Sequence, residues 1–386
     1  MMNYTKKAVL ISCFGNWYRN RLEPIKCFFE KNGYQVRVFL SDFDHQSKTY
    51  IEEKSSMCEY VHVPKYAKNL SVARIYSHIT FGRNVYKKIS TAKPDFIYLL
   101  LPPNYTASRC LKYIKKNPKT KYVVDLIDLW PESMPIEKFK FTISYQIWTY
   151  LRNESLKKAD LVITECDLYQ QKLKDIISNK KTGVLPLFRR LSSEEKEMID
   201  TILATYKAQE EEICIAYLGS INHIIDLMSI IQVIKVLKSK YKKVNLHIIG
   251  DGETRKQFVK EASEAGANVV FHGKIFDEDE KISILSACDF GLNMMKSNIA
   301  VGLTIKSVDY FSKGLPIINN IKGDTWKLVE NEGLGINYCG NPASLLRALH
   351  DCDITKMKKR AFKIFQKQFT EEAFSNNIID LLEGLL

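Results

Sequence analysis

The 386-residue chain has no window of about 18 apolar residues, which leaves no candidate transmembrane helix. It has no CxxC pair. Its nine cysteines, an odd number, are spread widely from Cys13 to Cys352. That spacing argues against a disulfide framework and against a zinc site. Cysteines in apolar segments of this kind behave as small hydrophobes. No GxGxxG follows a strand, so a dinucleotide cofactor is not indicated. No DxD-type acidic pair closes a strand, so nothing points to a metal ion. The seven histidines are scattered and form no cluster with carboxylates. No segment looks disordered, collagen-like or low in complexity.

What is present is the balance of a globular protein, 45% hydrophobic and 26% charged residues. The length suits two domains of about 150–200 residues. Met1 to Lys7 forms a charged start, and the apolar stretch after it, Ala8 to Cys13, is shorter than the 7–15 residues a signal peptide needs. Asn16, Arg19 and Arg21 follow at once, so the chain reads as unexported and cytoplasmic. The net charge of +13 is dispersed over groups such as Lys112-Lys115-Lys116 and Lys238-Lys240-Lys242-Lys243. No nucleic-acid motif accompanies these groups. They are either solubilising lysines or a face that rests on an anionic membrane surface.

Short apolar runs alternate with helical stripes in two blocks. The first holds Ala8–Cys13, Tyr34–Ser41, Phe96–Leu101, Tyr122–Ile127 and Leu161–Thr164 as strands. Continuous apolar runs of this length, separated by helices, indicate parallel strands buried on both faces. Leu191–Glu212 is polar and charged, with Pro186 just before it. The strand–helix pattern then restarts at Ile213. The expected architecture is α/β, with two Rossmann-like, doubly wound domains facing a central cleft. Residues 1–190 form the first domain, 191–212 a linker and 213–370 the second domain. Residues 371–386 form a C-terminal helix that could pack back on the first domain.

Ligands of such sheets bind beyond the carboxyl ends of the strands, so the residues there carry the argument. After the first strand come Gly15, Asn16 and Trp17, then Tyr18, Arg19 and Arg21 in what reads as a loop. Gly15 either allows a tight turn or lines the acceptor side of a cleft. The aromatics and arginines suit a sugar on a lipid diphosphate, and suit hydrophobic docking of the loop almost as well. Gly219-Ser220 and Gly250-Asp251-Gly252 are two glycine turns at strand ends, where backbone can approach a diphosphate. A helix beginning near Thr304 would aim its N–H groups at a phosphate, with Lys306 adding a point charge in its first turn. Asp309 lies one turn later, close to the same face. Gly314-Leu315-Pro316 ends that helix and feeds a buried strand.

Four segments resemble glycosyltransferase family 4, the large retaining GT-B group. They are Asp125-Leu126-Ile127-Asp128-Leu129-Trp130-Pro131-Glu132-Ser133, Ala159–Thr164, Ile248–Gly252, and Ile305–Tyr310 with Gly314–Ile318. The resemblance implies a second domain that binds a nucleotide-sugar and a first domain that binds the acceptor. By it, Gly219, Ser220 and Gly250 face the diphosphate, Gly273 and Lys274 border the base, and Asp309 binds ribose hydroxyls. Asp128, at a strand end, is the candidate for orienting or deprotonating the acceptor hydroxyl, with a helix cap or structural ion pair as the alternative. The leaving diphosphate would be stabilised by backbone N–H groups and lysine, without cofactor or metal. Two departures stand out. Val301 occupies the position of the family's first acidic residue. His223 lies near the expected diphosphate-binding lysine, whose charge Lys296 or Lys306 could supply.

The expectation is therefore a retaining sugar transferase acting on a lipid-linked saccharide acceptor in capsular, exopolysaccharide or lipopolysaccharide assembly. It would sit peripherally on the inner face of the cell membrane, with no nucleic-acid partner. A catalytically weak GT-B partner subunit and a nucleotide-sugar epimerase are the alternatives.

Overall fold

The computed structural model describes residues 6–134 and 136–386, without the side chains of residues 15–19 and 137. The chain forms two compact units, one of residues 1–186 with 374–386 and one of residues 187–373. Among the described residues, no helix is long and apolar enough to cross a membrane. All nine cysteines are free thiols.

The first unit begins with β1 (Lys6–Ser12), α1 (Gly15–Lys31), β2 (Tyr34–Ser41), β3 (Glu59–Val61) and α2 (Val72–Ala92). It continues through β4 (Phe96–Leu101), α3 (Asn104–Lys116), β5 (Lys121–Leu126), α4 (Ile143–Leu156), β6 (Leu161–Thr164), α5 (Asp167–Ile177) and β7 (Lys181–Val184). Seven parallel strands lie in the order β3-β2-β1-β4-β5-β6-β7, so the winding reverses between β1 and β4. All six residues of β4, Phe-Ile-Tyr-Leu-Leu-Leu, are buried. Helices on both faces of the sheet demand this, and each such side chain stabilises the fold by about 1.5–3 kcal/mol.

Arg21 of α1 is a correction to the sequence reading. The stretch taken as a loop after β1 is the first turns of α1, and Arg21 is 4% exposed. Its guanidinium clasps Asp125 of β5 at 2.8 and 2.9 Å and donates to the carbonyls of Leu185 and Pro186. Tyr98 donates its hydroxyl to the same carboxylate at 2.7 Å. A buried ion pair needs such complete satisfaction, because desolvation otherwise outweighs attraction. Arg21 is thus a bolt between helix and sheet. Gly15, Asn16, Trp17 and Arg19, expected on the acceptor side, lie outside the described side chains.

The second unit holds α6 (Ser193–Thr205), β8 (Glu212–Leu218), α7 (Leu227–Lys240), β9 (Lys243–Ile249), α8 (Arg255–Glu264), β10 (Asn268–Gly273) and α9 (Glu278–Ala287). After these come β11 (Phe290–Asn293), α10 (Ile305–Ser312), β12 (Ile317–Asn319), α11 (Asp324–Glu332), β13 (Gly335–Asn337), α12 (Pro342–Asp351) and α13 (Ile354–Gln368). Six parallel strands run β10-β9-β8-β11-β12-β13, with the reversal between β8 and β11. Residues 191–212, read as a linker, contain α6. A capping box of Ser192 and Glu195 starts this helix, and Leu203 packs where a Cβ on Gly314 would lie. The polar sequence belongs to its solvent side.

α14 (Glu371–Leu382) follows, and its last turns pack within the first unit. Leu381 fills the space beside Gly183 of β7, where a Cβ would come within 2.1 Å of it. The Phe374 ring lies 5.1 Å from the Arg21 guanidinium.

Candidate functional site

In the second unit the glycine turns converge at the carboxyl ends of the strands. Gly219 directly follows β8 and adopts φ +114°; Gly250 follows β9 with φ +142°. The Gly219 N–H donates to the Ile249 carbonyl, and the Gly250 N–H to the Gly273 carbonyl. A Cβ on Gly250 would stand 2.0 Å from the Gly219 oxygen, so this position accepts only glycine. Gly219, Gly250 and Gly273 therefore form one row across β8, β9 and β10. Ser220 is exposed beside it, and its carbonyl accepts from the Tyr217 hydroxyl at 2.8 Å.

The helix expected near Thr304 is α10, capped by the Thr304 hydroxyl accepting from the Ser307 N–H. Tyr310 fixes its position. Its hydroxyl accepts from the Leu218 N–H at 2.8 Å, and its ring packs 2.8 Å from where a Cβ on Gly291 would be. That anchor brings Lys306 to the glycine row. A Cβ on Gly219 would stand 3.4 Å from Lys306 Cε and 4.0 Å from Nζ. The ammonium lies 4.0 Å from the centre of the Tyr217 ring. Among the described residues it makes no hydrogen bond or ion pair. Burial lowers its pKa to about 7, with Asp309 opposing that shift. Lys296, the other lysine considered for this charge, is exposed, and His223 pairs loosely with Glu253 at 3.6 Å.

The structure places Asp309 differently from expectation. Its carboxylate is held by the Arg189 guanidinium, with Nη2 to Oδ2 at 3.0 Å and a second bond from Nε to Oδ1. Each oxygen retains a lone pair for a hydroxyl donor, but the group is not free. Lys274 is exposed after β10 and Gly273 faces only the Phe271 ring.

One feature beside α10 had no reading in the sequence. Asn293, Asn319 and Asn337 end β11, β12 and β13 and stand in register. Their amides link at 2.9 and 2.8 Å, and Asn293 also bonds Ser307 and Thr304 at the start of α10. Three asparagines at equivalent strand ends were the available signal.

In the first unit Asp128 follows β5 and is half-buried. It accepts from Trp130 Nε1 at 2.6 Å and from the Ser133 hydroxyl. Burial raises its pKa, and those hydrogen bonds oppose the rise. Two donors leave it lone pairs for a further hydroxyl. A polar groove of about 570 Å³, lined by Asn20, Asp44, Ser47, Thr49, Tyr50 and Glu52, opens beside the segment after β2.

The chain thus holds two Rossmann-like units of parallel strands, the second with a glycine row and a half-buried lysine beside it. Residues 212–352 match the family model Glycosyl transferases group 1. Solved structures match over the whole chain. Sucrose-phosphate synthase from Thermosynechococcus elongatus is 14% identical, with TM-score 0.68 and coverage of 98% of this chain and 99% of that one. HepE from Anabaena, solved with UDP, is 16% identical, with TM-score 0.68 and coverage of 99% and 100%. The lipopolysaccharide outer core galactosyltransferase WaaB is 13% identical, with TM-score 0.67 and coverage of 99% and 100%. At these identities the likeness establishes the GT-B fold. No curated protein sequence matches the chain.

Proposed function

We propose that the protein is a retaining, metal-independent glycosyltransferase that moves a sugar from a nucleotide-sugar to a lipid-linked saccharide in cell-surface polysaccharide assembly. The observation that carries this reading is the unpaired ammonium of half-buried Lys306 set against the Gly219 turn, inside the segment that matches the glycosyl transferase model. A partly desolvated cation beside a glycine turn and the start of a helix is suited to a diphosphate, whose charge repays the cost of burial. The neighbour solved with UDP supports a nucleotide donor for this unit.

In this scheme the Gly219–Ser220 turn, the start of α10 and Lys306 hold the diphosphate and stabilise the charge that develops as it leaves. Gly250 lets the Gly219 backbone lie close, and Gly273 and Lys274 border the base. Asp309, steadied by Arg189, takes a ribose hydroxyl on its remaining lone pairs. Asp128 orients the acceptor hydroxyl in the first unit.

Peripheral membrane binding is supported by an apolar surface on the first unit. Phe141 is 92% and Ile143 79% exposed, with Phe139, Ile147 and Tyr150 also exposed and with Lys138 and Lys140 flanking Phe139. Apolar side chains among lysines suit an anionic bilayer. The engagement of Asp309 by Arg189, together with Val301, favours a second reading: a GT-B partner subunit of weak activity.

The test is a screen of UDP-, GDP-, dTDP- and ADP-linked sugars for binding and slow hydrolysis, with Lys306→Ala alongside. One responding donor, lost in the variant, is expected. Binding without hydrolysis or transfer would support the partner subunit, and no binding of any nucleotide would sink both readings.

A further inference from the structure

Six arginines of the described structure are buried or held in carboxylate clasps, and five of them follow one rule, Arg37 with Glu59 and Arg190 with Glu371 among them. Arg21 faces Asp125, Arg152 faces Glu132 at 2.5 and 2.9 Å, and Arg189 faces Asp309. Arg74 breaks it. This residue in the first turn of α2 is 6% exposed, yet no carboxylate pairs with it among the described residues. Its Nη1 donates to the Asn69 carbonyl at 2.8 Å, and the Tyr66 hydroxyl is a further partner. Its Nε is buried with nothing to bond. The guanidinium lies 4.5 Å from the Trp130 ring centre and 5.9 Å from those of Phe14 and Tyr66.

A second orphan stands in the same box. His78, one turn along α2, is 3% exposed and neither ring nitrogen has a partner. Its ring lies 5.7 Å from Phe14 and 5.9 Å from Trp130. Lys48 adds a further cation, donating to Asn69 Oδ1 and lying 5.0 Å from the Tyr66 ring centre. Asp128 is the acid whose charge acts on Arg74, but its hydrogen bonds go to Trp130 and Ser133.

Aromatic faces alone do not compensate a desolvated guanidinium, since a cation–π contact returns only a fraction of what burying the charge costs. Phe14 follows β1 and Trp130 follows β5, so the box lies at the carboxyl ends of central strands, where open α/β sheets bind ligands.

We propose that Arg74 and His78, with Lys48 at the side, form an oxyanion subsite that reads a negatively charged group on the acceptor, either a phosphate or a sugar carboxylate. The subsite rests on the transferase reading only in assigning the anion to the acceptor; its anion binding stands independently. Arg74 supplies two parallel N–H donors, a geometry that fits either oxyanion. Trp130 joins the subsite to Asp128 through its indole N–H, so the anion would fix the acceptor relative to the carboxylate that orients its hydroxyl.

The experiment uses the full chain saturated with the nucleotide selected by the donor screen, so that anions cannot report on Lys306. Inorganic phosphate, glucose 1-phosphate, glucuronate and neutral glucose are titrated while tryptophan fluorescence and melting temperature are followed. The expected result is saturable binding of phosphate or glucuronate, whichever is read, and none of glucose. Affinity should fall at least tenfold in Arg74→Gln and in His78→Phe, and partly recover in Arg74→Lys. Nucleotide binding serves as the check that each variant is folded. If Arg74 is only structural, Arg74→Gln will melt lower while anions shift the native and variant proteins equally; that result overturns the proposal. A chain that binds the anion but transfers no sugar keeps the subsite and loses its acceptor role. Transfer to an acceptor with no anion binding at this box removes the subsite and leaves the transferase.

Discussion

Replacing Lys306 with methionine should strengthen the fold and weaken the ligand. The side chain keeps its length, but the ammonium is lost from a half-buried position with no ion pair. Moving a lysine pKa from its ordinary 10.5 to about 7 sets roughly 4–5 kcal/mol against the charged form, which is a ceiling on the gain. The relaxed protein should recover a fraction, about 1–2 kcal/mol, which for a unit of this size raises Tm by roughly 2–8 °C. The pH dependence fixes the cause. Between about 7 and 10.5 the unfolded chain holds a proton at Lys306 that the folded one does not, so native stability rises with pH across this window. The penalty is full below about 7 and absent above about 10.5; in Lys306→Met that rise should be missing. Nucleotide binding should move oppositely, losing about 1.5–3 kcal/mol, or roughly 10- to 150-fold, for a charge-assisted contact. In the native protein, titration calorimetry in buffers of different ionisation enthalpy should show proton uptake on binding above pH 7. A variant that melts lower than the native chain and binds nucleotide equally well would refute the reasoning.

Three further outcomes follow from the packing. Arg21→Leu leaves Asp125 buried and unpaired, so urea unfolding should show a loss of about 3–5 kcal/mol, much of it regained in Arg21→Met with Asp125→Leu; a loss under about 1 kcal/mol would contradict the bolt. Gly250→Ala drives a methyl group into the Gly219 oxygen and should cost about 1–3 kcal/mol beyond its backbone strain, with weaker nucleotide binding. Gly33→Ala, with φ +78° and nothing within 4 Å, should cost strain of about 1–2 kcal/mol alone; equal losses at the two glycines would argue against the close approach. Tyr310→Phe strands the Leu218 N–H, so a loss of about 1–3 kcal/mol is expected together with reduced nucleotide affinity; unchanged affinity would separate the anchor from Lys306.

Much of this was legible in the chain because burial on both faces writes itself as unbroken apolar runs. Tyr34–Ser41, Phe96–Leu101 and Leu161–Thr164 are strands with the limits read from sequence. β7 was not, since Lys-Thr-Gly-Val has no apolar run and takes its cover from Leu381, nearly two hundred residues away. α6 was hidden because a helix that buries only one narrow side, at Ile199 and Leu203, looks like a polar connector. The glycine row and Lys306 were readable as strand–turn and helix-start signals, whereas their closeness depends on Tyr310 and Gly291. Arg189 had no signal at all: nothing local marks an arginine as the partner of a carboxylate 120 residues on. Arg74 and His78 were equally silent, being ordinary members of an amphipathic helix until the loops after β1, β2 and β5 close around them.

The return of residues 374–386 to the first unit has a consequence for synthesis. A ribosome finishes residues 1–186 early, but the Leu381 that covers Gly183 and the Phe374 that shields Arg21 arrive only after the whole second unit has been made. The nascent first unit must wait, half-sealed, through the translation of almost two hundred residues, with an apolar seam that a chaperone could recognise. The second unit is continuous in sequence and carries no such delay. Order of emergence and order of completion are thus reversed, with the half that is begun first being the last to close.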